Sequence, residues 1–170
     1  MSGEINLPKK LLSVVEQLIE DLRQYNKLNH IPHILIIEDD RRDRDLMRMA
    51  VVAVGCRVTC AENGELGLAA LHASRQPNQQ AADLIFLDMK LPGMDGIAVL
   101  QKVRTIAPKT PVVFITSAVA SWTIDQAAKY GYVSMLEKPL DREDLREILF
   151  QHRIPFRNEE GNVEQAEPED

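Results

Sequence analysis

Three separated stretches of the chain end strongly apolar runs in charged residues. They are Ile34-Leu35-Ile36-Ile37-Glu38-Asp39-Asp40, Leu84-Ile85-Phe86-Leu87-Asp88 and Met135-Leu136-Glu137-Lys138-Pro139. A continuous apolar run of this kind is how a parallel strand buried on both faces reads. Open α/β sheets bind their ligands at the carboxyl ends of such strands. The pattern therefore predicts that Glu38, Asp39, Asp88 and Lys138 gather at one edge of one sheet. Oxygen ligands of this type suit a hard cation such as Mg²⁺, which keeps several waters and shares one or two carboxylates with a phosphate. Without a cation the carboxylates repel and raise each other's pKa values. A bound Mg²⁺ removes that conflict and withdraws charge from an incoming phosphoryl group. A carboxylate can also receive such a group covalently. Lys138 can neutralise a phosphate oxygen, and the hydroxyl of Thr116, which ends the run Val113-Phe114-Ile115-Thr116, can hydrogen-bond one. The acids do not match a His-containing zinc site.

The elements that must position these residues follow from the alternation of patterns after His33. Strands are expected near 33–38, 56–61, 83–88, 111–116 and 132–137, and helices near 43–54, 65–74, 95–106, 118–130 and 141–151. Gly55, Asn63-Gly64, the stretch Arg75 to Asn78, Pro92-Gly93, Pro108 and Gly131 supply the turns between them. Asp141 and Asp144 before Leu145 mark a helix start with acids in its first turn. Five β–α units imply an α/β fold: a five-stranded parallel sheet, doubly wound, with right-handed crossovers.

Residues 7–28 carry a further apolar stripe at Leu11, Val15, Leu18, Leu22 and Tyr25, with Pro8 suited to a first helical turn. An isolated helix of this length is marginal in water unless its apolar face is covered. Self-packing or homodimerisation through residues 7–28 is expected. After Arg153 the periodicity stops, and residues 153–170 read as an acidic, disordered tail. The organisation expected is thus an N-terminal helical extension at 1–32, a domain at 33–152 and the tail.

The net charge of −6 leaves no basic excess for nonspecific nucleic-acid binding. From Arg153 to Asp170 there are two Arg and six acids, which puts −4 in the tail and −2 in the remainder. No apolar stretch is long enough to span a bilayer, and the N-terminus lacks a signal-peptide pattern, so no membrane partner and a cytoplasmic location are expected. Cys56 and Cys60 lie four residues apart on one expected strand, roughly 13 Å between Cα atoms at strand rise, too far for a disulfide.

With these pieces in place, the chain from about 33 to 151 resembles a response regulator receiver domain of two-component signalling. The resemblance rests on Ile34 to Asp40, on Leu87-Asp88-Met89-Lys90-Leu91-Pro92-Gly93-Met94-Asp95-Gly96, on Val113 to Ala118 and on Glu137-Lys138-Pro139. It implies a flavodoxin-like sheet of strand order 2-1-3-4-5. It implies Asp88 as phosphoacceptor from a histidine kinase or histidine phosphotransfer protein, and Mg²⁺ held by Glu38, Asp39, Asp88 and the Lys90 carbonyl. Thr116 and Lys138 would bind the phosphoryl, and a cis peptide bond would precede Pro139. Such a protein is a phosphoacceptor that assists its own phosphorylation and dephosphorylation, not a conventional enzyme. Lys90 and Ala118 occupy positions that tune the lifetime of the phosphate in the family. The chain departs from the family pattern at Met135, where an aromatic ring often couples to the threonine as a switch.

No DNA-binding or catalytic output domain is expected in 1–32 or 152–170, so output falls to contact with a downstream protein. The competing expectation is a phosphorylation-independent receiver-like scaffold, with Met135 a sign of lost switching. A hydrolase with an aspartate nucleophile fits less well, because Lys90 stands where a general acid would be wanted. Arg41, Arg42, Arg44 and Arg48 read as a solvated helix face paired with Asp43 and Asp45, with docking of an acidic partner as the alternative. Trp122 either closes the core edge or anchors a partner. His30, His33 and His152 show no pairing pattern, and Gly93 and Gly96 read as turn residues.

Overall fold

The computed structural model describes residues 13, 17–18, 30–117, 121–131 and 134–164. The chain divides into two compact units, Met1–His30 and Ile31–Asp170. Within the first, Ser13, Gln17 and Leu18 are helical. The rest of the stripe expected over 7–28 lies outside the described residues.

In the second unit the strands β1 (His33–Ile37), β2 (Arg57–Ala61), β3 (Leu84–Asp88), β4 (Val112–Thr116) and β5 (Ser134–Glu137) form a parallel sheet. Its order is β2-β1-β3-β4-β5, the order that the resemblance implies. The three central strands β1, β3 and β4 are buried at every position. Their runs of Ile, Leu, Val and Phe need apolar cover on both faces, and helices supply it. Ile34 and Ile36 turn to a cluster with Met47 and Val51 of α1 (Arg41–Ala53) and Leu145, Ile148 and Leu149 of α5 (Arg142–Gln151). Leu35 and Ile37 turn to the other face. There they meet Leu68 and Leu71 of α2 (Gly64–Ser74), Val99, Leu100 and Val103 of α3 (Gly96–Ile106), and Ala127 of α4 (Ser121–Ala128). Each fully buried side chain of this size stabilises the fold by about 1.5–3 kcal/mol before entropy is counted. Alternation along β1 thus decides which helix meets which residue.

Side-chain caps start the helices at the same sheet edge. Asp40, Asn63, Asp95 and Asp141 accept hydrogen bonds from the backbone N–H of Asp43, Leu66, Ala98 and Asp144 at 2.9, 2.9, 2.8 and 2.8 Å. At α5 the bond is reciprocated, Asp141 N–H to Asp144 Oδ2 at 3.1 Å, which completes a capping box. The cap at Asp40 explains why α1 begins at Arg41, ahead of the expected 43. The expected helix 118–130 is observed as Ser121–Ala128 and the strand 132–137 as Ser134–Glu137. Residues 118–120 and 132–133, and the side chain of Trp122, lie outside the described residues.

The expectation of a disordered tail is corrected over its first part. Helix α5 ends with Arg153 in the left-handed region (φ 56°). The N–H of Ile154 returns to Leu149 O at 2.8 Å and that of Arg153 to Phe150 O at 3.0 Å, the pattern of a Schellman ending. This turn drives Ile154 and Phe156 into the core beside Val54 and Leu149. Strand β6 (Phe156–Arg157) then pairs antiparallel with β7 (Val163–Glu164). Arg157 N–H bonds to Val54 O at 2.8 Å, and Asn158 Oδ1 accepts the N–H of Glu160 and Asn162 at 3.0 and 2.9 Å to close the connection. Residues 165–170 lie outside the described residues.

Candidate phosphoacceptor pocket

The register of the sheet sets the pocket. Ile37 stands opposite Leu87, Asp88 opposite Ile115, and Thr116 opposite Glu137, so the polar and charged ends of β1, β3, β4 and β5 share one edge. Glu38 continues β1 through its N–H to Ala61 O at 3.0 Å. The N–H of Lys138 bonds to Thr116 O at 2.8 Å, which carries the chain past β5 back toward β4. The Lys138–Pro139 peptide bond is cis.

Lys138 is the hub of this edge. Its Nζ lies 2.7 Å from Glu38 Oε2, 3.1 Å from Asp88 Oδ2 and 3.2 Å from Asp43 Oδ2. Asp88 Oδ1 accepts the N–H of Lys90 at 3.0 Å, and Glu38 Oε1 accepts that of Asp40 at 3.1 Å. One carboxylate oxygen each from Glu38, Asp39 and Asp88 falls within 4.8 Å of the others. Glu38, Asp88 and Thr116 are buried, whereas Asp39 is exposed. Met135 is half-buried. It pairs with Phe114 across the ladder and packs on the cluster that holds Leu35 and Ile37.

Charge burial without a full set of partners shapes the electrostatics. Burial pushes the Glu38 carboxyl up to about 7, the Asp88 carboxylate adds to the push, and contact with Lys138 opposes it. Burial pulls the Lys138 ammonium down, but contact with Glu38 and the charge of Asp88 outweigh it and hold Lys138 above its ordinary value. Among the described residues no hydrogen-bond donor is directed at the fully buried Glu38 Oε2, which meets Lys138 as an ion pair at 2.7 Å outside hydrogen-bonding angles. An under-satisfied carboxylate oxygen beside two further carboxylates is the donor set a hard divalent cation takes. These residues fit Mg²⁺.

Two residues of α1 belong to the pocket although their sequence pattern assigned them to a solvated face. Asp43 reaches Lys138, and Arg44 Nη1 donates to the carbonyls of Glu38 and Asp39 at 2.7 and 2.9 Å. Arg41 and Arg48 do lie on the exposed face, 3.8 and 3.7 Å from Asp45. Gly96 is also more than a turn residue. A Cβ there would stand 2.8 Å from Asp88 O and 2.9 Å from Met89 Cα. Gly93, with φ 79°, does serve the turn. The histidines are paired where no pattern was expected: His33 Nε2 lies 2.8 Å from Thr59 Oγ1, and His152 Nε2 lies 3.1 Å from Ser134 Oγ.

A doubly wound parallel sheet with an acid-lined edge, an opposed lysine and a buried threonine defines a class of α/β signalling domain. The model of the response regulator receiver domain matches residues 34–150, and the chain belongs to that family, part of two-component signalling. It is 31% identical over 119 residues to the regulatory protein AtoC of Escherichia coli K12, covering 70% of this chain and 24% of that one. It is 29% identical over 123 residues to the transcription factor SKN7 of Chaetomium thermophilum, covering 71% of this chain and 15% of that one. The match therefore spans only a minor part of these longer relatives. Among solved structures, the Vibrio cholerae chemotaxis protein CheY4 superposes with a TM-score of 0.65 at 22% identity, over 72% of this chain and 98% of that one. The receiver domain of the sensor histidine kinase PA1611 of Pseudomonas aeruginosa, solved with magnesium coordinated in its active-site cleft, gives 0.61 at 24% identity, over 72% and 97%.

Proposed function

We propose that the chain is a receiver that takes a phosphoryl group on Asp88 from a histidine kinase or histidine phosphotransfer protein, and that its output is contact with a downstream protein. The observation that carries this reading is Lys138 Nζ standing at 3.1 Å from Asp88 Oδ2 and 2.7 Å from Glu38 Oε2. Glu38, Asp39 and Asp88, with the Lys90 carbonyl, would hold Mg²⁺. When bound, the cation neutralises charge on the phosphoryl oxygens and lets acceptor and donor approach.

In the transfer, an oxygen of Asp88 forms a bond to phosphorus as the bond from phosphorus to the donor's imidazole nitrogen breaks. The electron pair returns to the ring. Lys90 N–H holds Asp88 Oδ1 in place. The Lys138 ammonium pairs with one phosphoryl oxygen and the Thr116 hydroxyl donates to another. Hydrolysis of the acyl phosphate resets Asp88. Movement of Thr116 and Lys138 toward the phosphoryl is the event that biases the fold between two states. We place the reaction in the cytoplasm; among the described residues no helix is long and apolar enough to cross a membrane. We further propose that residues 7–28 pair with those of a second copy.

The half-buried Met135 supports the second reading, a scaffold that binds partners without phosphorylation. Incubation of the full chain with acetyl phosphate and Mg²⁺, followed by intact-mass measurement, separates the two. The phosphoacceptor reading predicts a gain of one phosphoryl group that Asp88→Asn abolishes. No gain in the unaltered chain would sink it and leave the scaffold.

A further inference from the structure

Asp43 is a fourth carboxylate of the pocket with no role in holding the cation or accepting the phosphoryl group. A lysine ammonium carries three N–H donors, and three carboxylates already crowd Lys138: Glu38 at 2.7 Å, Asp88 at 3.1 Å and Asp43 at 3.2 Å. A phosphoryl oxygen that approaches this ammonium competes with them for it. The three differ in what release would cost. The Glu38 and Asp88 side chains are 1% and 8% exposed, whereas that of Asp43 is 40% exposed. Asp88 gives up its carboxylate charge to the new bond; of the two that remain, buried Glu38 would be left poorly solvated without its cation, whereas half-exposed Asp43 regains water. Asp43 is therefore the partner Lys138 gives up most readily.

The position of Asp43 is built rather than incidental. Its N–H is fixed by the Asp40 cap at 2.9 Å. Its neighbour Arg44 ties the first turn of α1 to the carbonyls of Glu38 and Asp39. The turn that carries Asp43 is thus pinned to the loop that carries the acids.

We propose that Asp43 is a positioning residue that competes with the phosphoryl oxygens for Lys138. It draws the ammonium toward α1 and adds negative charge beside Asp88. Phosphorylation then exchanges the Asp43–Lys138 pair for a phosphoryl–Lys138 pair. This inference rests on the reading of Asp88 as phosphoacceptor.

The test uses the full chain and its Asp43→Asn variant with saturating Mg²⁺. Two quantities are measured at low and high ionic strength: the affinity for beryllium trifluoride, an anion that mimics a phosphoryl group on a carboxylate, and the rate of phosphoryl uptake from acetyl phosphate. Asp43→Asn should tighten beryllium trifluoride binding and speed uptake, each by about fivefold at low salt. The gap should shrink as salt approaches about 1 M, because a half-exposed charge is screened. An acid that served only the dipole of α1 would change thermal stability and leave both quantities alone. Equal or weaker anion binding by Asp43→Asn, or a gap that salt does not touch, would overturn the competition while wild-type uptake keeps the Asp88 reading intact. Failure of the wild-type chain to take up phosphate would overturn both.

Discussion

Glu38 sets the response of the pocket to pH. Burial pushes its carboxyl in the folded chain up to about 7 from an ordinary value of 4.5. Between these values the folded state binds more protons than the unfolded one, so stability of the metal-free protein falls as pH rises through that window. Lys138 does not counter this. Its raised value gives stability that is fully present below its ordinary 10.5 and is lost only above it. Mg²⁺ needs the ionised carboxylate, so the rise in unfolding temperature on adding Mg²⁺ should be larger at about pH 8 than at about pH 5. An equal rise at both would remove Glu38 from the ligand set. Glu38 and Asp88 were legible in the sequence because each ends an apolar run that reads as a buried strand, and Lys138 because it follows the apolar Met135-Leu136 of half-buried β5. Asp43 and Arg44 were not. Charges at positions 41 to 48 alternate in a way that fits exposed pairs, and nothing in that spacing says which of them turns inward. The Asp40 cap decides it, by fixing the phase of the helix.

The strands β1, β3 and β4 were legible for the same reason, and the caps at Asp40, Asn63, Asp95 and Asp141 set where the helices begin. The hairpin of β6 and β7 was not legible. Its strands are two residues long, Pro155 interrupts the only apolar stretch, and the acids around it match a solvated tail. What orders it is tertiary: Phe156 and Ile154 are 4% and 5% exposed in the α1–α5 core, and Arg146 lies over the Phe156 ring at 5.8 Å from its centroid. Phe156→Ala should therefore cost about 3–5 kcal/mol in denaturant unfolding. A loss under about 1 kcal/mol would show that the hairpin adds nothing to the core. At the β3–α3 connection the limit is space, since Gly96 has no room for a methyl group between Asp88 O and Met89 Cα. Gly96→Ala should destabilise the fold by about 1–3 kcal/mol and slow phosphoryl uptake by shifting the backbone of Asp88. Unchanged stability with unchanged uptake would contradict that packing.

At the scale of the whole molecule, the receiver family accounts for residues 34–150, while relatives such as AtoC and SKN7 extend well beyond their matched parts. The order of the sheet was legible because five apolar runs separated by helical periods leave few topologies, and the family motifs select one. The N-terminal stripe carries an expectation that mass measurement in solution can check. Pairing through residues 7–28 predicts a dimer for the full chain and a monomer for a chain starting at Ile31; two monomers would remove it. All of the functional reading depends on Asp88 being the residue that accepts phosphorus. The most direct measurement is reduction of the phosphorylated full chain with borohydride, which converts an acyl phosphate to the alcohol, followed by peptide sequencing by mass spectrometry. The account predicts homoserine at position 88 and only when Mg²⁺ was present during phosphorylation. Modification at Glu38, Asp39 or Asp43 instead of Asp88, or no modified residue at all, would contradict it.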